Sequence, residues 1–477
     1  MSVESTLQQF GVAEVIVSLK SLELGGGTNE LATTEFDHGH LARYFTSSNQ
    51  GELRGLAPAS RGSSPGNYRV YENLGLVLGT VDQSGWDSLK SDSDVAEAEE
   101  APQLSLIRPV RDVAAAAASA GQGPTWGIQK LGIPELWSRG VRGAGVRIGH
   151  LDTGVDGSHP AFRKQAIAAF AEFDLWGNEV ARPQVIDSQY HGTHTAGTLV
   201  GRPVNGFEFG IAPEASLYSA RVIEGGRIIA RVLGGLNWCL GQGVQIVNLS
   251  LGLRGYTPAF LTLIQALRNR GVLPVVAVGN EGPGTSRSPG NYDNVLSVGA
   301  SDATNRVWVS SSSHKLARPT DPFVPDLVGP GRDVVSCLPG GGFQSLSGSS
   351  MATPHIAGLA ALLWQAVPQA THLDIERAIL DSCTRPAAMP EDRANRGLPN
   401  ALVALRILAP HLAAKPGRAT TRTKPATASS KRPSAKVVRK TAATKRTTTN
   451  KTTTTPRSTK PAKPGKRVAK KSKAPPR

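Results

Sequence analysis

Four short motifs in this 477-residue chain carry residue types that can do chemistry together. Val146-Arg-Ile-Gly-His-Leu-Asp-Thr-Gly-Val-Asp156 holds a carboxylate at Asp152, His191-Gly-Thr-His-Thr-Ala-Gly-Thr198 opens on an imidazole, and Gly348-Ser-Ser-Met-Ala-Thr-Pro-His355 holds a hydroxyl at Ser350. Hydrolysis through a serine needs a base within about 3 Å of the hydroxyl, and a buried carboxylate that fixes the imidazole tautomer and stabilises its charged form. One of each is present. The fourth motif, Ala277-Val-Gly-Asn-Glu-Gly282, offers the Asn280 amide to a developing oxyanion, and loss of such a donor typically costs about 10²–10³ in turnover. Taken singly, Asp152 reads as a turn cap, His191 as a helix-start histidine and Ser350 as an N-cap. Their joint context reverses that reading, while His159, His194 and His355 are better read as packing or hydrogen-bonding support.

These groups need elements to position them. Asp152 closes an apolar strand and projects from its C-terminal end, where open α/β sheets place their sites. His191 opens a helical pattern, and Ser350 lies between Gly348 and a helix beginning near Met351, whose N-terminus lends N–H groups and positive dipole character. From about Trp126 to His411, runs such as Val146–Leu151, Gln245–Leu249, Leu273–Val278 and Val295–Val298 alternate with helix-like segments at Ala230–Gln242, Thr257–Arg270 and Thr353–Val367. That alternation predicts an α/β body with a mainly parallel sheet. Upstream, strand-like runs at Ala13–Leu19 and Tyr71–Leu78 suggest a small α+β unit, and the small residues between Pro102 and Gly123 read as an exposed connector. The predicted divisions are 1–105, a connector at 106–123, a body at 124–412 and a tail at 413–477.

Charge separates that tail from the rest. Residues 414–477 contain 21 Lys or Arg and no Asp or Glu, which against a whole-chain net of +16 leaves −5 for residues 1–413. With few large apolar residues the tail cannot offset its ordering entropy and is predicted to be disordered. Its KRVAKKSK stretch and lack of aromatics suit phosphate contacts without base readout, so nucleic acid or another polyanion is a candidate partner for residues 414–477. Cys239, Cys337 and Cys383 are too few and scattered for a disulfide framework or a zinc site, and read as buried thiols. The first ten residues include Glu4 and are followed by no apolar h-region, so neither a signal peptide nor a membrane span is expected; the expectation is a cytoplasmic location, with secretion by another route as the alternative, and a monomer.

The Asp, His, Asn, Ser order of the DTG, HGTHTAGT, GNEG and GSSMATPH motifs, together with Gly210-Ile-Ala-Pro-Glu-Ala215, resembles the subtilisin family of serine peptidases from near Trp126 to near Leu408. The resemblance implies an α/β, subtilisin-like three-layer domain with a mainly parallel sheet, preceded by a propeptide-like inhibitory domain. It implies a serine endopeptidase working on protein or peptide substrates through an acyl-enzyme. Asp152 would orient the base, His191 act as general acid/base, Ser350 as nucleophile and Asn280 as oxyanion donor. Ser349 stands where the family usually has Thr. The implied substrate groove is Ser250, Leu251 and Gly252 on one wall, with Ala277 and Gly279 on the other. Glycines at 252 and 279 leave room for a large side chain, so cleavage after apolar or aromatic residues is expected, with Glu281 at the rim. No cofactor is implied: the family often binds calcium through an aspartate after His-Pro, but His159-Pro160 precedes Ala161, and the loop at 200–207 carries Arg202, so no calcium and no other metal is expected. A polyanion-binding protein built on a spent peptidase scaffold is the competing class, and retention of every triad member argues against it.

Overall fold

A computed structural model describes residues 2–20, 39–46, 68–102, 105–109, 121–163, 165–223, 228–319 and 321–413. Met1–Gly417 forms one compact unit. The basic tail predicted to be disordered lies outside the described residues.

The chain begins with helix α1 (Val3–Phe10), capped by the Ser2 side chain, and strand β1 (Ala13–Leu19). Strands β2 (Tyr68–Tyr71) and β3 (Leu76–Val81), helix α2 (Gln83–Ser91) and strand β4 (Val95–Glu100) follow. They form an antiparallel sheet in the order β2-β3-β1-β4. The run expected at Tyr71–Leu78 is therefore two strands: the chain turns at residues 72–75, where Gly75 adopts φ +67°, a left-handed conformation that glycine accepts without Cβ strain. Alternation sorts the sheet's two faces. Val15, Val17, Val77 and Val81 pack against α1 and α2 beside Trp86 and Leu89, whereas Ile16 and Leu78 pack with Leu233, Leu236 and Leu263 of the body.

A two-residue strand, β5 (Ser105–Leu106), precedes the body. Its central sheet has seven strands, all pairing parallel: β6 (Arg147–Asp152), β7 (Ile167–Glu172), β8 (Ser216–Arg221), β9 (Ile246–Leu249), β11 (Leu273–Ala277), β13 (Leu296–Ser301) and β14 (Leu327–Pro330). The order across the sheet is β14-β13-β11-β9-β6-β8-β7. Two short strands, β10 (Leu251–Arg254) and β12 (Arg287–Ser288), lie in a separate sheet with β5. Both faces of the parallel sheet are covered, as right-handed crossovers require. Leu273, Val275 and Leu296 face helices α3 (His191–Val200) and α6 (Ser349–Ala366), and Val247 and Val276 face α4 (Ile228–Gly241) and α5 (Leu261–Asn269). The body is thus a three-layer α/β fold, with β6 and β11 ending at the same edge. Among the described residues, no helix is long and apolar enough to cross a membrane.

Candidate active site

Asp152 is the last residue of β6 and is wholly buried. Its Oδ1 accepts the Thr153 N–H at 2.7 Å and lies 2.7 Å from His191 Nδ1. Thr195, one helical turn after His191 on α3, places its hydroxyl 3.2 Å from Asp152 Oδ2 and 2.8 Å from His150 Nε2. Burial opposes the carboxylate's charge, but the facing His191, its hydrogen bond, His150 and the Thr153 N–H outweigh it and hold the Asp152 pKa below the usual range. An ionised Asp152 keeps the proton on His191 Nδ1, which leaves Nε2 as the basic nitrogen. Asp187 ties the strand end to the helix start: it accepts from the Thr153 hydroxyl and from the N–H and hydroxyl of Thr193, each at 2.7 Å.

Ser350 sits in the first turn of α6, after Gly348. The neighbouring Ser349 N–H donates to Asn280 Oδ1 at 2.8 Å, and the Ser349 hydroxyl lies 2.9 Å from the same oxygen. With Oδ1 fixed toward the helix, Asn280 Nδ2 is turned into the groove. The Ser350 hydroxyl donates to the Ile107 carbonyl at 2.8 Å, and among the described residues His191 Nε2 has no hydrogen-bond partner.

That carbonyl belongs to a strand seated in the groove. β5 pairs antiparallel with β10, Leu106 opposite Leu251 and Ser105 opposite Gly252. The Ile107 N–H donates to Ser250 O at 3.1 Å, and Asn280 Nδ2 donates to Arg108 O at 3.0 Å. Ile107 is wholly buried. The start of the stretch expected as an exposed connector, residues 106–109, therefore lies against Ser350 and Asn280; residues 110–120 lie outside the described set. Of the expected groove residues, Ser250, Leu251 and Gly252 meet this strand, while Ala277 ends β11 and Gly279 follows two residues later, both buried. Gly279 is needed as glycine: it adopts φ +123°, and a Cβ there would come within 2.8 Å of Glu281 Oε2 and Ser312 Oγ.

At the His159-Pro160 turn and the 200–207 loop, where the sequence resemblance raised the question of calcium, Arg163 donates to Pro160 O at 2.9 Å and to Pro203 O at 2.6 Å, and the Arg202 N–H donates to Ala161 O at 3.0 Å. A hard cation needs six or more oxygen ligands, whereas a guanidinium engages two carbonyls here and Ala161, not a carboxylate, follows Pro160. His194 Nε2–H donates to Val334 O and His355 Nδ1–H to Met351 O; burial pushes their pKa values down to about 3 and about 4, which suits neutral packing groups. Cys239 and Cys337 are buried and Cys383 half-buried, all as free thiols.

Sequence reading missed four participants. His150 shares a strand face with Asp152 at period two, and Thr195 shares a helix face with His191 at i+4, so both had a local signal. Asp187 and Ile107 had none.

A model of the subtilase family matches residues 143–404. The M-protease of Shouchella clausii (strain KSM-K16) is 34% identical over 62% of this chain and 72% of its own length. Subtilisin Savinase of Lederbergia lenta is 34% identical over 55% of this chain and 92% of its own, and the major intracellular serine protease of Bacillus subtilis (strain 168) is 35% identical over 50% and 74%.

Proposed function

Because the chain belongs to the subtilase family and is a serine endopeptidase, we propose that Ser350, His191, Asp152 and Asn280 are its catalytic residues and that residues 1–109 hold it as a latent precursor. In the proposed reaction Ser350 Oγ attacks a peptide carbonyl carbon while its proton passes to His191 Nε2. The oxyanion is held by Asn280 Nδ2–H and the Ser350 N–H. Imidazolium then protonates the leaving amine, the acyl-enzyme forms, and a water activated by His191 releases the acid and restores Ser350. Asp152 stabilises the imidazolium throughout without taking its proton.

The single observation that carries latency is the Ser350 hydrogen bond to Ile107 O. A hydroxyl donating to a carbonyl oxygen cannot give the same proton to His191, and the strand occupies the groove that substrate would pair with. Asn280 meanwhile engages Arg108 O, one residue beyond the carbonyl at the nucleophile, so oxyanion donor and nucleophile address different peptide units. Maturation would cut the chain between Ile107 and Gly123, and the matured enzyme would need no calcium at the loop clipped by Arg163. The basic tail would tether the enzyme to a polyanion.

A serine-directed fluorophosphonate tests this reading. Labelling of Ser350 should be slow on the intact chain and fast once the connector is cut, and Ser350→Ala should abolish both label and peptide hydrolysis while the fold is retained. Full labelling of a chain still beginning at Met1 would remove the latency; hydrolysis by the Ser350→Ala variant would remove the site.

A further inference from the structure

The groove contains an ion pair that the reaction does not use. Arg287, on β12, and Glu281, one residue after Asn280, are held together between the two walls of the groove. Arg287 Nε donates to Glu281 Oε1 at 3.0 Å, and a terminal guanidinium nitrogen contacts the same oxygen. The other terminal nitrogen donates to Gly252 O at 3.0 Å and lies 3.3 Å from Ser105 Oγ of the seated strand. Glu281 Oε2 accepts the Asn280 N–H at 3.0 Å and the Ser312 hydroxyl at 3.3 Å. The chain of contacts thus runs from the Gly252 wall, through guanidinium and carboxylate, to the wall at Gly279 and Asn280.

Both groove glycines stand beside this pair. A Cβ added at Gly252 would lie 2.7 Å from Ser288 O and 3.3 Å from Arg287 Cβ, and one added at Gly279 would lie 2.8 Å from both Glu281 Oε2 and Ser312 Oγ. Arg287 is 6% exposed. Burial raises the cost of the Glu281 charge, but the Arg287 guanidinium, the Asn280 N–H and Arg254 outweigh it, so the carboxyl stays ionised at neutral pH. Parting such a pair to admit a bulky side chain would leave two desolvated charges without partners.

Resting on the reading of Ser350 as nucleophile, we propose that the Glu281–Arg287 pair is the specificity determinant of the primary pocket, bolting it against aromatic and charged side chains and selecting small or medium aliphatic residues before the scissile bond. The occupant agrees. Ile107, whose N–H meets Ser250 O and whose carbonyl meets the nucleophile, is the residue in the substrate-like position, and it is a wholly buried β-branched aliphatic. Basic residues gain nothing from Glu281, nor acidic ones from Arg287, because each charge already faces the other.

The test is a series of peptides varied only at the residue before the cleaved bond, read as kcat/KM on the matured enzyme. Wild type should cut after Ile, Val or Ala at least about tenfold faster than after Phe, Glu or Lys. Arg287→Gly should raise the Phe-to-Val ratio by about tenfold or more, and Glu281→Gln, which preserves shape while freeing the guanidinium, should raise the Glu-to-Gln ratio instead. A wild type that prefers Phe or Tyr, or ratios unmoved in both variants, overturns the pocket assignment while fluorophosphonate labelling of Ser350 leaves the nucleophile standing. Failure of wild type to label overturns both.

Discussion

Asn280 does its proposed work because another side chain holds it. Ser349, in the place of a threonine, fixes Asn280 Oδ1 by a backbone N–H at 2.8 Å and so aims Nδ2 at the groove. Asn280→Ala should therefore lower kcat by about 10²–10³ with KM little changed, since the donor acts on charge that develops only in the transition state; steady-state kinetics on the matured enzyme would show it, and a change confined to KM would contradict it. Asp152, His191, Ser350 and Asn280 were legible in the sequence because each stands in a contiguous motif whose neighbours set its local geometry. Asp187 and Ile107 were not. Their roles come from contacts across the fold, Ile107 meeting Ser350 from 243 positions away, and nothing adjacent to either residue signals its partner. Glu281 was visible as a rim charge, but its neutralisation by Arg287 depends on β12 lying beside β10, a pairing without sequence periodicity.

At the scale of elements, four of the seven parallel strands (β6, β9, β11 and β13) and the helices α4, α5 and α6 were legible from β-branched runs and helical periods, their ends moving by only a few residues, whereas β7, β8 and β14, poor in contiguous β-branched residues, were not. The antiparallel N-terminal sheet was half legible: the turn at Gly75 was hidden inside an apolar run. β4 of that sheet has a further property. Glu99 pairs with Ile16, which packs on the body, and Glu97, two residues earlier on the same face, accepts from the Thr262 hydroxyl of α5 at 3.0 Å. Burial, with Glu97 adding repulsion, pushes the Glu99 pKa up to about 7 from an ordinary 4.5. A raised carboxyl pKa in the closed state means that closure is unpenalised while Glu99 is protonated in both states, loses stability as pH climbs from 4.5, and has lost its full share above about 7. Hydrogen exchange of α5 amides in full-length Ser350→Ala protein, corrected for intrinsic rates, should accordingly show weaker protection at pH 8 than at pH 5.5. Glu99→Gln should reduce that difference severalfold. Equal protection at both pH values in the parent would count against it.

For the whole molecule, the split between −5 over residues 1–413 and +21 over residues 414–477 predicts two separable behaviours. Deleting residues 414–477 should abolish retention on DNA or RNA, and retention by the full chain should fall steeply with salt as condensed counterions cease to be released. Hydrolysis of a small peptide should be nearly unchanged; a collapse of turnover would make the tail part of the folded enzyme. The proposed absence of calcium is likewise a property of the whole fold's stability. EDTA should leave the melting temperature unmoved, whereas Arg163→Ala, which removes the donor to Pro160 O and Pro203 O, should lower it by about 2 °C. A large melting-temperature loss in EDTA would reveal a metal site elsewhere.

The strand across the groove also makes dilution a control variable. While Ile107 is covalently joined to the body, its local concentration at Ser350 is on the order of millimolar and independent of how much protein is in the tube. One cut after Pro109 converts that tethered ligand into a separate molecule, held by an ordinary bimolecular equilibrium. Intact chains would then stay silent at any concentration, cut chains would wake on dilution, and the first few awake would cut the rest. The time course of activation should show a lag that shortens when a trace of cut enzyme is added at the start.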